Sequence, residues 1–234
     1  MCKRFRYAGR VRSYDDLCGL ARALAAVGER WALLVVRELL LGPKRFSDLS
    51  RGLPTMSQNV LSARLRELER AGVVTRRVLG PPASARVYEL TPRGRELEES
   101  LLALGRWGSR QPLPATGQLS VDALMLALRT TYDPGPATGP QPPVGLRLGA
   151  DRFVAEAGPA GLRVTRGAGE RCAATVDTDP RTLLEVVYGY LPRDEAERRG
   201  ALRVTGERQA AERFLGSFTR PVTTGDAGAA PAAG

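Results

Sequence analysis

The chain has no histidine and only three cysteines in its 234 residues. The first absence removes histidine-dependent catalytic triads and the commonest transition-metal ligand. An enzyme would then need a carboxylate, lysine or Ser-Lys arrangement, and the chain holds no such constellation. Cys2, Cys18 and Cys172 are odd in number and far apart, which fits neither a zinc cluster nor a secreted disulfide framework. Long apolar runs are lacking as well. No stretch approaches the roughly 18 apolar residues of a membrane span, and the N-terminus lacks the apolar segment of a signal peptide. These absences lead to the expectation of a cytoplasmic protein that is not an enzyme, needs no metal or cofactor and has no membrane partner.

Lysine is scarce too, with 2 against 33 arginines, and the formal net charge is +10. That charge is unevenly placed. Residues 1–114 hold 21 Lys or Arg against 11 Asp or Glu, whereas residues 115–234 hold 14 against 14. A general preference for arginine would have made both halves basic. A basic module joined to a neutral one fits a polyanion-binding domain beside a domain with another task.

The run Phe46 to Leu90 is the most informative stretch. FSDLSRGLP predicts a short helix from Ser47 to Leu53, because the residue before Pro54 is pushed out of the α region. Thr55 and Gln58 have the spacing of a capping box, which predicts a second helix from Met56 to Ala71 with Gly72 as its left-handed stop. Leu61, Leu65 and Leu68 give that helix one core stripe, and Asn59, Ser62, Ala63, Arg66 and Arg70 turn away from it. A major groove accepts such a polar, cationic face. VVTRRV and RVYEL alternate on either side of a tip held open by Gly80, Pro81 and Pro82, so they read as a hairpin carrying Arg76, Arg77 and Arg86.

Several motifs stand here in a fixed order: VGERWALLVVRELLLGPKRFSDL, LSARLRELERAGVVTRR, VYELTPRG and a later RWG. Together they resemble the HxlR-type family of winged-helix regulators over about the first half of the chain. The resemblance implies a homodimeric, MarR-like transcription regulator that binds double-stranded DNA. On that reading Gln58, Asn59, Ser62 and Arg66 face bases, since Asn and Gln pair with adenine and Arg with guanine in bidentate fashion. Arg45, Arg76, Arg77 and Arg86 hold phosphates or the wing's minor groove. Lys44, next to Arg45, is also well placed for phosphate.

Ahead of these motifs, Lys3, Arg4, Arg6, Arg10 and Arg12 form either a minor-groove arm or a frayed basic tail. From Tyr14 the pattern turns helical, with Leu17, Leu20, Leu24, Val27 and Trp31 along one seam. A second helix is expected from about Glu29 to Leu41. Cys18 lies thirteen residues before Trp31, the spacing at which the family often carries a redox-sensing cysteine. The resemblance nominates it as a sensor, although Gly19 stands where the family commonly has proline, and the alternative is a small buried hydrophobe. After the hairpin, Thr91 and Pro92 start a helix reaching about Ser109, with Leu97, Leu101, Leu104 and Trp107 on one face. Leu17, Leu20 and Leu24 with these four residues form the expected dimer interface.

In the second half Ser120 caps the apolar helix VDALMLALRTTY, and the period then changes to two in VGLRL, RFVAE, LRVTR, CAATV and LRVTG. Asp179 and Pro180 start another helix, and ERQAAERFLGSF lays Ala210, Phe214 and Phe218 along one side. The order of TDPRTLLEVVYG, RDEAERRG and LRVTGERQAAERFL resembles the sterol-carrier-protein type 2 fold over about residues 119–219. That fold implies a mostly antiparallel sheet covered by helices around an apolar cavity. Leu183, Leu184, Val187, Phe214 and Phe218 are candidate walls for a small hydrophobic ligand, or they simply fill a core.

The expected class is therefore α+β, in five parts: a basic arm at 1–13, a winged-helix DNA-binding and dimerisation domain at 14–110, a linker at 111–118, a sterol-carrier-like domain at 119–219 and a disordered tail at 220–234. The expected function is a homodimeric regulator, a repressor before an activator, on a palindromic operator, with a sensing or dimerising C-terminal module. The competing reading is a lipid carrier whose basic domain only localises it to nucleic acid. It leaves the charge asymmetry unexplained.

Overall fold

Two compact units make up the chain, one formed by Met1–Leu39 and Pro43–Arg95, the other by Leu40–Gly42 and Glu96–Gly234. They are seen in a computed structural model that describes residues 14–81, 84–111, 117, 119–135, 141–169 and 171–221. The expected arm, most of the linker, Pro82 at the hairpin tip and all but the first two residues of the expected tail lie outside the described residues. The division falls between Arg95 and Glu96, inside the helix expected after the hairpin, where the sequence reading ended the first domain at 110.

In the first unit the order is α1 (Gly19–Val27), α2 (Ala32–Leu39), α3 (Phe46–Gly52), α4 (Gln58–Arg70), β1 (Val74–Val78), β2 (Arg86–Leu90) and α5 (Pro92–Arg95). The helical seam expected from Tyr14 starts five residues later, at Gly19, with Cys18 as the N-cap. Trp31 leaves that seam altogether. Its φ of 85° breaks the chain between α1 and α2, a conformation strained for a bulky residue, and its carbonyl accepts the Val35 amide at 2.9 Å to open α2. Leu49, Leu61, Leu65 and Leu68 are at most 1% exposed, and a fully buried leucine contributes roughly 1.5–3 kcal/mol.

The start of α4 corrects the sequence reading. Ser57, not Thr55, is the N-cap, its Oγ accepting the Val60 amide at 3.4 Å. Thr55 and Met56 stay in the turn because Met56 N–H donates to the Leu53 carbonyl and its side chain is buried. The far end follows expectation: Gly72 has a φ of 68°, and Val73 N–H reaches back to Leu68 and Gly72 N–H to Glu69. This is the Schellman pattern that satisfies the last carbonyls. β1 and β2 pair antiparallel with Arg76 opposite Tyr88 and Val78 opposite Arg86.

The second unit begins with α6 (Leu97–Gly108) and α7 (Val121–Thr131). A break at Glu96 separates α5 from α6, so the single helix expected from Thr91 to Ser109 is two. Next come β3 (Val144–Leu148), β4 (Asp151–Gly158), β5 (Gly161–Arg166), β6 (Ala174–Thr178), α8 (Pro180–Val187), α9 (Arg193–Arg198), β7 (Leu202–Gly206) and α10 (Arg208–Leu215). The strands lie in the order β5-β4-β3-β6-β7.

The expectation of an antiparallel sheet holds for three neighbour pairs and fails for β3 with β6, which run parallel. The chain leaves the β5 edge and crosses β4 and β3 before entering β6, and such a crossover delivers a strand in the parallel sense. Alternate residues Leu146, Phe153, Ala155, Val164 and Val176 face the core, and α7 packs on β5 while α10 packs on β3, β6 and β7. Arg147, Glu156, Arg163, Asp177 and Arg203 fall on the other, exposed phase of the alternation, as a half-covered sheet requires.

Candidate nucleic-acid interface

Helix α4 divides cleanly by its period. Leu61, Leu65 and Leu68 are buried, whereas Gln58, Asn59, Arg66 and Arg70 are exposed and Ser62 is half-buried. Gln58 and Asn59 occupy the first turn, the part of a recognition helix that reaches base edges. Arg66, two turns on from Asn59, has no carboxylate partner among the described residues. Arg45 is exposed at the N-cap of α3, where its backbone N–H donates to Asp48 Oδ2 at 3.4 Å. The predicted base-facing and phosphate-facing residues thus all lie in the first unit.

The wing arginines differ from one another. Arg76 Nε lies 2.7 Å from Glu69 Oε1 on α4, with its guanidinium 5.3 Å from the centre of the Tyr88 ring. Arg77 Nη2 lies 3.2 Å from Glu89 Oε2. Arg86 is exposed and has no carboxylate partner among the described residues. Exposed pairs of this kind contribute only about 0–1 kcal/mol, so phosphate can compete for both paired guanidinium groups.

Residues 26–115 match the model of the HxlR-like helix-turn-helix family. Over 89 residues the chain is 40% identical to "Uncharacterized HTH-type transcriptional regulator YvaP" of Bacillus subtilis, which covers 38% of this chain and 82% of the relative. It belongs to the HxlR-like helix-turn-helix family. "HTH-type transcriptional regulator YodB" of the same organism is 34% identical over 88 residues, covering 38% of this chain and 79% of its own. Among solved structures, "Redox regulator HypR in its oxidized form" is 33% identical, covering 42% of this chain and all of that one with a TM-score of 0.37. The chain is a transcription regulator of the HxlR type, with a helix-turn-helix for DNA.

In this HxlR-like chain Lys44 does not stand ready for phosphate. Its side chain is 13% exposed and its Nζ lies 2.8 Å from Glu38 Oε2. Glu38, which sequence reasoning passed over, is 0% exposed on α2, and Arg37 Nη2 lies 2.9 Å from its other oxygen. An ion taken out of water costs several kcal/mol unless it is well paired, which is why two cations accompany it. A β-carbon at Gly52, at the end of α3, would overlap the Glu38 carboxylate. The signal lay in the period, since Glu38 falls three residues after Val35 and next to Leu39, both buried.

Cys18 is exposed in the single chain, at the N-cap of α1, and is not part of that chain's core. Cys172 is half-buried, and burial, with Glu156 nearby, pushes its thiol pKa up. Of the expected dimer residues, Leu17 is 96% exposed, Leu20 67%, Leu24 41%, Leu104 50% and Trp107 62%. Leu97 is half-buried. Leu101 is corrected: it is buried, one turn before Gly105 on the side where α6 packs closely on Thr130 of α7, and so it offers no outward surface. Among the expected pocket residues Leu183, Val187 and Phe214 belong to the core, and Leu184 and Phe218 pack against it. Phe218 follows α10 and does not lie on it, with its ring 5.2 Å from that of Phe214.

Proposed function

We propose that this regulator is a homodimeric repressor that binds a palindromic operator through α4 and the wing. The observation that carries the proposal is the exposed row of Gln58, Asn59 and Arg66 opposite three buried leucines on one helix. Gln58, Asn59, Ser62 and Arg66 read bases. Arg45, Arg76, Arg77 and Arg86 set register on the phosphates or enter the minor groove. Leu20 and Leu24, exposed four residues apart on α1, and Leu17, exposed just ahead of its N-cap, support pairing of two copies, as do Leu104 and Trp107 on α6. A C₂ pair puts its recognition helices into successive major grooves about 34 Å apart. Repression needs no further contact, because a dimer seated over a promoter excludes polymerase.

Cys18 is the proposed switch. It lies between Leu17 and Leu20, so an adduct on its sulfur adds bulk and polarity to the proposed pairing face. The second unit, a sheet with helices on one side, is proposed to be sterol-carrier-like and to sense a small hydrophobic ligand or to add to dimerisation. Footprinting on the DNA upstream of neighbouring genes, with sedimentation of the protein alone, tests the main reading. Protection of an inverted repeat by a sedimenting dimer is expected. A monomer, or protection without two-fold symmetry, would reject the palindromic assembly.

A further inference from the structure

We infer that Glu38 is a positioning residue for DNA recognition, a buried carboxylate that holds the wing and the first helix of the motif to α2. The inference rests on the reading that α4 and the wing meet DNA.

Three segments meet at this one group, and the wing joins them through Lys44. Glu38 comes from α2, and its Oε2 takes Lys44 Nζ at 2.8 Å. Lys44 is in turn bonded to the wing by its backbone: Lys44 N–H donates to the Tyr88 carbonyl at 2.9 Å and Tyr88 N–H to the Lys44 carbonyl at 2.8 Å. Gly52 lies against the carboxylate as well, because any β-carbon there would meet it, so α3 ends against it. From Tyr88 the contacts continue through its ring to Arg76 and from Arg76 to Glu69 on α4. The buried charge therefore stands at one end of an unbroken path to the recognition helix.

The chemistry suits position better than stability. Apolar residues of similar volume often replace a buried ion pair without loss, while its directional bonds specify one arrangement. Two cations of different shape share the carboxylate, the Arg37 guanidinium from α2 itself at Oε1 and the Lys44 ammonium from the turn beyond it at Oε2.

The test uses the slope of log affinity against log salt, which counts phosphate contacts at about 0.9 per phosphate. Partial unfolding scales affinity by the folded fraction, so with that fraction measured by circular dichroism at each salt concentration and divided out, the slope separates position from mere stability. In the full chain Arg86→Ala is expected to flatten the slope by about one contact. Glu38→Gln should flatten it by at least as much, and Arg86→Ala made in the Glu38→Gln background should add nothing. Lys44→Gln should reproduce Glu38→Gln and serves if the latter does not fold. Amide exchange without DNA gives a second reading, with Lys44 and Tyr88 expected to exchange at least tenfold faster in the variant. An additive Arg86 effect, or unchanged exchange at both amides, overturns the role of Glu38. Absence of salt-dependent binding by the wild type would instead overturn the DNA-facing reading, and the exchange measurement would still decide on Glu38.

Discussion

Arg77 Nη2 lies 3.2 Å from Glu89 Oε2 across the wing, so a cation expected to meet phosphate is already shared with a carboxylate of the same hairpin. Such an exposed pair contributes at most about 1 kcal/mol to stability. Glu89→Gln should leave thermal stability nearly unchanged, raise affinity for any duplex at low salt and steepen the salt slope by up to about 0.9. Arg77→Ala should weaken operator and random DNA alike. Titrations of both variants at several salt concentrations check this, and an unaltered slope in Glu89→Gln would show that Arg77 does not reach the backbone.

Arg66 carries a different expectation, because it stands on α4 with no carboxylate to satisfy it among the described residues. Arg66→Ala should cost about 1–3 kcal/mol on the operator and relax preference at one base position. Competition binding against single-base operator variants reads both effects. Equal losses on operator and random DNA would move Arg66 to the phosphate-binding group.

The parts of this site that the sequence made legible are those set by local period. The leucine stripe of α4, its polar opposite face and the Gly72 stop all follow from positions one to two turns apart. The start of α4 was ambiguous because Thr55 and Ser57 both offer a hydroxyl to a helix start, and burial of Met56, a tertiary fact, decides for Ser57. Lys44 read as a phosphate ligand because its partner lies six residues back, out of view of any helical spacing that includes it. The pairing of Arg77 with Glu89 depends on hairpin register, which the Gly-Pro-Pro tip did not specify. Alternation with period two marked β3 and β6 correctly and could not reveal that they run parallel, since both senses share that period.

Asp179 caps α8, and its carboxylate shows how pH should act on the second unit. Burial alone would raise its pKa, but hydrogen bonds from Thr182 Oγ1 and from the Thr182 and Arg181 amides outweigh burial and hold it below the usual value. A carboxyl with a lowered folded pKa stabilises above its unfolded pKa, about 3.9, and loses that contribution as pH falls through the folded value. Asp179→Ala should cost about 1 kcal/mol at neutral pH, and the gap from wild type should narrow below about pH 4. Urea unfolding at the two pH values checks it. A gap of constant size would mean that the charge plays no part in the cap.

Cys18 and Cys172 should differ sharply in reactivity, because one thiol is exposed at the start of α1 and the other is half-buried and pushed to a higher pKa. A β-carbon at Gly169 would overlap the Cys172 sulfur, so the loop leaves an attacking reagent little approach. N-ethylmaleimide should therefore label Cys18 first in the native protein. Cys2 lies outside the described residues and competes for reagent, so the comparison belongs in a Cys2→Ala background, with sites assigned by mass spectrometry. Labelling alone establishes only access. The sensor reading further requires that modification of Cys18 by the maleimide or by peroxide change both the sedimenting species and operator affinity, because Cys18 lies between Leu17 and Leu20 in the sequence of the proposed pairing segment. Cys18→Ser should keep DNA binding and lose that response. If Cys18 is fully modified while operator affinity and assembly stay as they were, the thiol is an exposed bystander and the switch must be sought in the second unit.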